Sequence, residues 1–130
     1  MIVPDCSAIA YALLRVPGSE TVADRLFASD AELHAPHLLD LEVIQVLRKA
    51  CRAGELDVAR ASQRFEDYTR LPLVRYSHIL FWPRIWELRN NMTAYDAAYV
   101  ALAESLDAPL LTRDKRLASA PGHHARIELV

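Results

Sequence analysis

TAYDAAYVALAE, Thr93–Glu104, is the stretch whose reading decides the fold. Ala97, Ala98, Val100, Ala101, Leu102 and Ala103 leave it almost no polar face, so it reads as a helix buried on most sides. Thr93 followed three residues later by Asp96 is a helix-start signature. The hydroxyl caps free backbone N–H groups, and the acid suits the positive end of the helix dipole. A carboxylate entering a buried helix must be capped, paired with a cation or bound to a metal, because bare burial is costly. Asp96 is therefore either half of a capping box or part of a site. The positions of the other acids decide between the two. Tyr95 and Tyr99, which flank it, read as packing residues with polar tips.

On the C-terminal side, Asp107-Ala108-Pro109 turns into a strand, PLLT, that leads to Asp114. KRLA (115–118) gives a short helical turn, Pro121-Gly122 breaks it, and RIELV (126–130) closes as a last strand. On the N-terminal side, residues 78–90 read as one helix with Pro83 in its first turns, where proline is tolerated. Phe81, Trp82 and Trp86 at helical spacing in it read as core or a protein interface rather than as base-stacking residues. LVRY (73–76) is a third strand.

At the start of the chain, MIVPD is a short apolar strand ending in an acid, followed by Ser7 and a helical run. Pro4 is awkward in a central strand but sits at its end. Ser19–Phe27 is a helix, ELHA (32–35) a strand stopped by Pro36, and His37–Ala53 a helix ended by Gly54. That helix has Leu39, Val43, Val46, Leu47 and Ala50 on one face and Glu42, Gln45, Lys49 and Arg52 on another. Glu55–Leu71 is a more polar helix. Strands alternating with helices predict an α/β fold, with a mainly parallel sheet sandwiched by helices, over residues 1–130 as a single domain. In such sheets, sites form beyond the carboxyl ends of the strands.

The 130 residues suffice to bury a core, and about half are hydrophobic (52%). No apolar run approaches the roughly 18 residues that span a bilayer. No basic region precedes the first apolar residues, and Cys6 and Cys51 read as reduced thiols, which together point to the cytoplasm. The net charge of −2 permits a nuclease that gathers carboxylates around a metal, although binding through many phosphates usually takes a basic surface. The five histidines show no pairing that suggests a catalytic base.

Asp5, Glu42, Asp96 and Asp114 are the four acids at element ends or on mainly apolar helices. Each has an innocent role open to it: Asp5 as a helix cap, Glu42 as a solvent-facing residue, Asp114 as a turn residue. Two carboxylates about 4 Å apart repel by about 4 kcal/mol at an effective dielectric of about 20, so a cluster of them needs a cation. All-oxygen ligands favour Mg²⁺ or Mn²⁺. Such an ion polarises a phosphoryl oxygen and acidifies water for phosphodiester hydrolysis.

The opening IVPDCSA, LLDLEVIQVLRK, TAYDAAYVALAE and LLTRDKRL, in this order and spacing, resemble the PIN-domain family, and within it the VapC-type toxin ribonucleases of bacterial toxin–antitoxin pairs. The resemblance covers essentially the whole chain. It implies a Mg²⁺- or Mn²⁺-dependent endoribonuclease that cuts RNA, with Asp5, Glu42, Asp96 and Asp114 as metal-site acids and Ser7 and Thr112 as the small hydroxyl residues lining the site. It also implies a homodimer held inactive by a cognate antitoxin. Gln45 stands where the family commonly has Asn, and Pro4 where an aliphatic residue is usual. Arg48, Arg113, Lys115 and Arg116 are candidates for holding RNA phosphates. Two other readings compete: a PIN-like binding module with catalysis lost, and a receiver-like phospho-switch. The latter finds only a poor Thr112–Lys115 pair and gives Glu42 no role.

Overall fold

The computed structural model describes residues 1–130. Strand β1 (Val3–Pro4) lies beside β4 (Leu110–Thr112), with Val3 opposite Leu110 and Pro4 opposite Leu111. On the far side of β4 runs β5 (Ile127–Leu129), with Thr112 opposite Leu129. On the other side of β1, Ile2 bridges to Leu33 of β2 (Leu33–Pro36), which pairs with β3 (Leu73–Tyr76). Every pairing is parallel, and the order is β3-β2-β1-β4-β5.

Pro4 shapes this sheet. The amides of Val3 and Asp5 donate to β4, at Pro109 and Leu111, while Ile2 bonds to the β2 side, at Glu32. By alternation, residue 4 should donate toward β2, but proline has no N–H. The β1–β2 pairing accordingly stops after Ile2, and β1 keeps its ladder to β4 alone at the end where Asp5 emerges.

The connections carry helices α1 (Cys6–Leu13), α2 (Glu20–Leu26), α3 (Leu38–Arg52), α4 (Val58–Thr69), α5 (Trp82–Glu87), α6 (Ala94–Leu106) and α7 (Lys115–Ala118). From β1 the chain steps to β2 and then β3 in one direction; after β3 it crosses back to β4 on the far side of β1. Right-handed crossovers in opposite directions place their helices on opposite faces. Accordingly α1 packs against α2, α3 and α4, whereas α6 packs against α5, β1, β2 and β4. The core is built from Val3, Ile9, Leu33, Leu39, Val100, Leu102, Leu110 and Leu111, each fully buried. Helix α6 is buried from Ala97 through Ala103 without a break, as its composition predicts.

Residues 78–90 do not form one helix. They form a 3₁₀ turn (His78–Phe81), then α5, then a second 3₁₀ turn (Leu88–Asn90). Pro83 cannot donate to the carbonyl of Ile79, so a continuous helix breaks there and restarts. The polar helix begins at Val58 rather than Glu55, because Asp57 accepts the Arg60 amide at 2.8 Å and caps it. Strand β2 includes Pro36 as its last residue, and β4 ends at Thr112, two residues before Asp114.

Candidate active site

Strands β1 and β4 are neighbours whose following connections leave in opposite directions, which makes their carboxyl ends the switch point where α/β sheets open a crevice. Asp5 follows β1 directly. Its Oδ1 accepts the Ser7 hydroxyl at 2.6 Å and the Ala8 amide at 2.9 Å, and its Oδ2 accepts the Thr112 hydroxyl at 2.5 Å. Asp5 therefore does cap α1, and the cap locks it in place. Asp5 is 8% exposed and Thr112 0%. Ser7 in turn accepts the Arg113 amide at 2.8 Å, so the loops after both strands are stitched together.

Asp114 caps α7, accepting the Arg116 amide at 2.8 Å. Burial would raise its pKa, but the Arg116 amide and guanidinium and the Leu117 amide outweigh it and hold the carboxyl below the ordinary aspartate range. Asp96 lies in the first turn of α6, where the Thr93 hydroxyl accepts its amide at 3.1 Å. No bond returns from the Asp96 carboxylate to the Thr93 amide, so the capping box is only half made. Asp96 and Asp114 instead line one cleft of about 190 Å³ together with Asn91, Met92, Thr93 and Arg116.

Glu42, in the second turn of α3, points its carboxylate at Tyr99 of α6, whose hydroxyl donates to Oε2 at 2.5 Å. Burial pushes Glu42 above the ordinary glutamate range; the Tyr99 hydroxyl opposes this, and the charges of Asp5 and Asp96 add to it. Burial likewise raises Asp96, against the Thr93 hydroxyl and with help from Asp114 and Asp5. The Cys6 thiol, among the same groups, is pushed up to about 12 by burial and by the charges of Glu42 and Asp5. The charge of Asp5 thus bears on both Glu42 and Asp96, that of Asp96 on Glu42 and that of Asp114 on Asp96, although the four acids come from distant parts of the chain.

As the side chains stand, no three acids are close enough to enclose an ion. A hard cation of the Mg²⁺ type keeps several waters and needs only one or two direct carboxylates. Two carboxylates lining one cleft, with Asp5 and Glu42 near enough for their charges to matter, are a donor set that fits such an ion held partly through water.

A model of the PIN domain matches residues 2–122. The chain belongs to the PIN-domain family. It is 42% identical to Ribonuclease VapC9 of Mycobacterium tuberculosis over 117 residues, 90% of this chain and 88% of that protein. Its fold matches PAE2754 from Pyrobaculum aerophilum with a TM-score of 0.72 and 23% identity, covering 97% of this chain and 81% of the other. It also matches VapBC2 from Rickettsia felis, solved with a DNA fragment, with a TM-score of 0.70 and 16% identity, covering 100% and 99% of the two chains.

Other sequence candidates fall unevenly within this PIN domain. Ser7 and Thr112 bind Asp5 as described. Gln45 is exposed and makes no side-chain hydrogen bond. Arg48 lines a groove between α3 and α4, with Ile44, Cys51 and Phe65, that none of the four acids borders. The Arg113 guanidinium lies over the Tyr11 ring, 3.8 Å from its centroid, while Arg116 pairs with Asp114 at 3.3 Å and is 93% exposed. Lys115 is exposed. Trp82, Trp86 and Tyr95 are not core: each is more than half exposed, and Trp82 and Tyr95 line one groove with Leu38 and Ile85. The broken helix explains the tryptophans, since restarting at Trp82 gives α5 only six residues and no buried side chain. Sequence reading left Tyr99 out of the site; its one signal was its place three residues after Asp96, on the same helical face.

Proposed function

We propose that this PIN domain is a VapC-type endoribonuclease toxin that hydrolyses RNA phosphodiester bonds with Mg²⁺ or Mn²⁺. One observation carries the reading: Asp5 and Asp114 stand just beyond the ends of the neighbouring strands β1 and β4, Asp114 shares a cleft with Asp96, and the charges of Asp5 and Asp96 bear on Glu42. The similarity to Ribonuclease VapC9 supports the reaction class.

Asp5, Asp96, Asp114 and Glu42 would hold the cation, with Asp5 kept rigid by Ser7 and Thr112. When bound, the cation supplies Lewis acidity to the phosphoryl group and acidifies water. Arg116, at the rim of the cleft, contacts a phosphate of the strand, and Arg113 and Lys115 extend that rim. A buried Asp5, held by Ser7, Ala8 and Thr112, would serve as a fixed anchor, with Asp96, Asp114 and Glu42 supplying the other oxygens.

A cognate antitoxin would hold the enzyme inactive, and the VapBC2 likeness supports a partner of that kind. The exposed Trp82, Trp86 and Tyr95 support an interface beside the site, which we assign to a homodimer. Two free cysteines, no helix long and apolar enough to cross a membrane, and an RNA substrate support a cytoplasmic location. No observation favours a silent binding module.

The test is to incubate the purified protein with total cellular RNA in Mn²⁺, in chelator, and as Asp96→Asn, and to sequence the cut ends. Discrete cuts in Mn²⁺ alone are expected. Cleavage that persists in chelator or in the variant would overturn the reading.

A further inference from the structure

Asp5 and Asp114 are each held by backbone amides of the helix they cap. Glu42 has no such tether. It stands within α3, carries a longer side chain than the aspartates, and has a single hydrogen-bond partner, the hydroxyl of Tyr99. Tyr99 is 2% exposed and lies among the apolar residues of α6. A buried phenol needs a partner, and here the partner is the Glu42 carboxylate, 57 positions away in sequence and within the influence of the charges of Asp5 and Asp96.

The geometry allows the bond to act on the site. Tyr99 and Asp96 share a face of α6, so one helix carries an acid of the cleft and also the group that fixes Glu42. The phenol restricts the rotamers of Glu42, whose freezing otherwise costs entropy on cation binding. It occupies Oε2 and leaves Oε1 open. It also donates to the charged form of a carboxylate that Asp5 and Asp96 crowd.

We propose that Tyr99 is a positioning residue, which holds the Glu42 carboxylate toward the cleft for divalent-cation binding. The proposal rests on the metal-dependent reading above.

The test is Tyr99→Phe in the full chain, which keeps the ring and removes only the hydroxyl. Calorimetric titration with Mn²⁺ should show affinity weakened about tenfold, the range for losing a group that orients a ligand. In a Glu42→Gln background the same change should add nothing further, because the effect runs through Glu42. In the metal-free protein, the slowly exchanging phenolic proton of Tyr99 should give a low-field NMR signal that moves in Glu42→Gln. Wild-type Mn²⁺ affinity in Tyr99→Phe would overturn the positioning role alone. So would an equal loss in both backgrounds, which marks a packing effect. No Mn²⁺ uptake by the wild-type protein would overturn the nuclease reading as well.

Discussion

Thr112 donates its hydroxyl to Asp5 Oδ2 at 2.5 Å, joining two residues 107 positions apart. The bond exists because Pro4 and Leu111 are in register, which puts the residues after them side by side. Thr112→Val keeps the shape and removes the donor, leaving a buried carboxylate oxygen unsatisfied. Stability should fall by about 1–3 kcal/mol. RNA cleavage should fall with it, while Thr112→Ser stays close to wild type in both. Chemical denaturation and a cleavage assay read the two effects.

Asp96→Asn should abolish RNA cleavage and raise the melting temperature of the chelated protein. Burial and the charges of Asp114 and Asp5 raise the Asp96 pKa. A raised carboxyl favours the fold when protonated and penalises it when ionised, so at neutral pH the penalty is present in full. The neutral amide removes it. A variant that melts lower than wild type in chelator would contradict this sign.

Metal addition should act in the opposite direction. An ion that binds only the folded chain stabilises it by about 2.7 kcal/mol at a hundredfold excess over its dissociation constant. Thermal melts with Mn²⁺ should therefore rise for wild type and stay flat for Asp96→Asn and Asp5→Asn. Equal shifts in all three proteins would place the ion elsewhere.

Glu104 ties the C-terminal segment to α5 and α6. Its carboxylate accepts Arg84 Nε at 2.8 Å and Nη2 at 2.9 Å, and the His124 amide at 3.0 Å. Burial would raise its pKa, but these donors win and hold it below the ordinary value of 4.5. A lowered carboxyl contributes stability that is full above that value and lost as the pH falls through the folded pKa. Glu104→Gln should cost about 2 kcal/mol at pH 7, and the gap to wild type should close in acid. A constant gap across pH would mean the charge is not what matters.

Trp82→Glu with Trp86→Glu changes two side chains that are 57% and 68% exposed. The fold should survive, because neither supports the core. Sedimentation should show a dimeric wild type and a monomeric variant. A variant that still sediments as a dimer would move the interface to another face.

The sequence by itself determined the alternation of strands and helices, the buried character of α6, and which four acids stand at element ends or on apolar helices. These are local properties: the 3.6-residue period and the punctuation by Pro4, Pro36, Gly54 and Pro109 act within a few residues. The likeness of four segments to the PIN family was also legible there. Only the tertiary structure decided what faces what. Strand order set Thr112 against Asp5 and Tyr99 against Glu42, stacked Arg113 on Tyr11, and sent Arg48 away from the acids. It also left Trp82 and Trp86 uncovered. Periodicity marks which side of a helix is apolar, but what covers that side depends on crossovers that bring together segments up to a hundred residues apart.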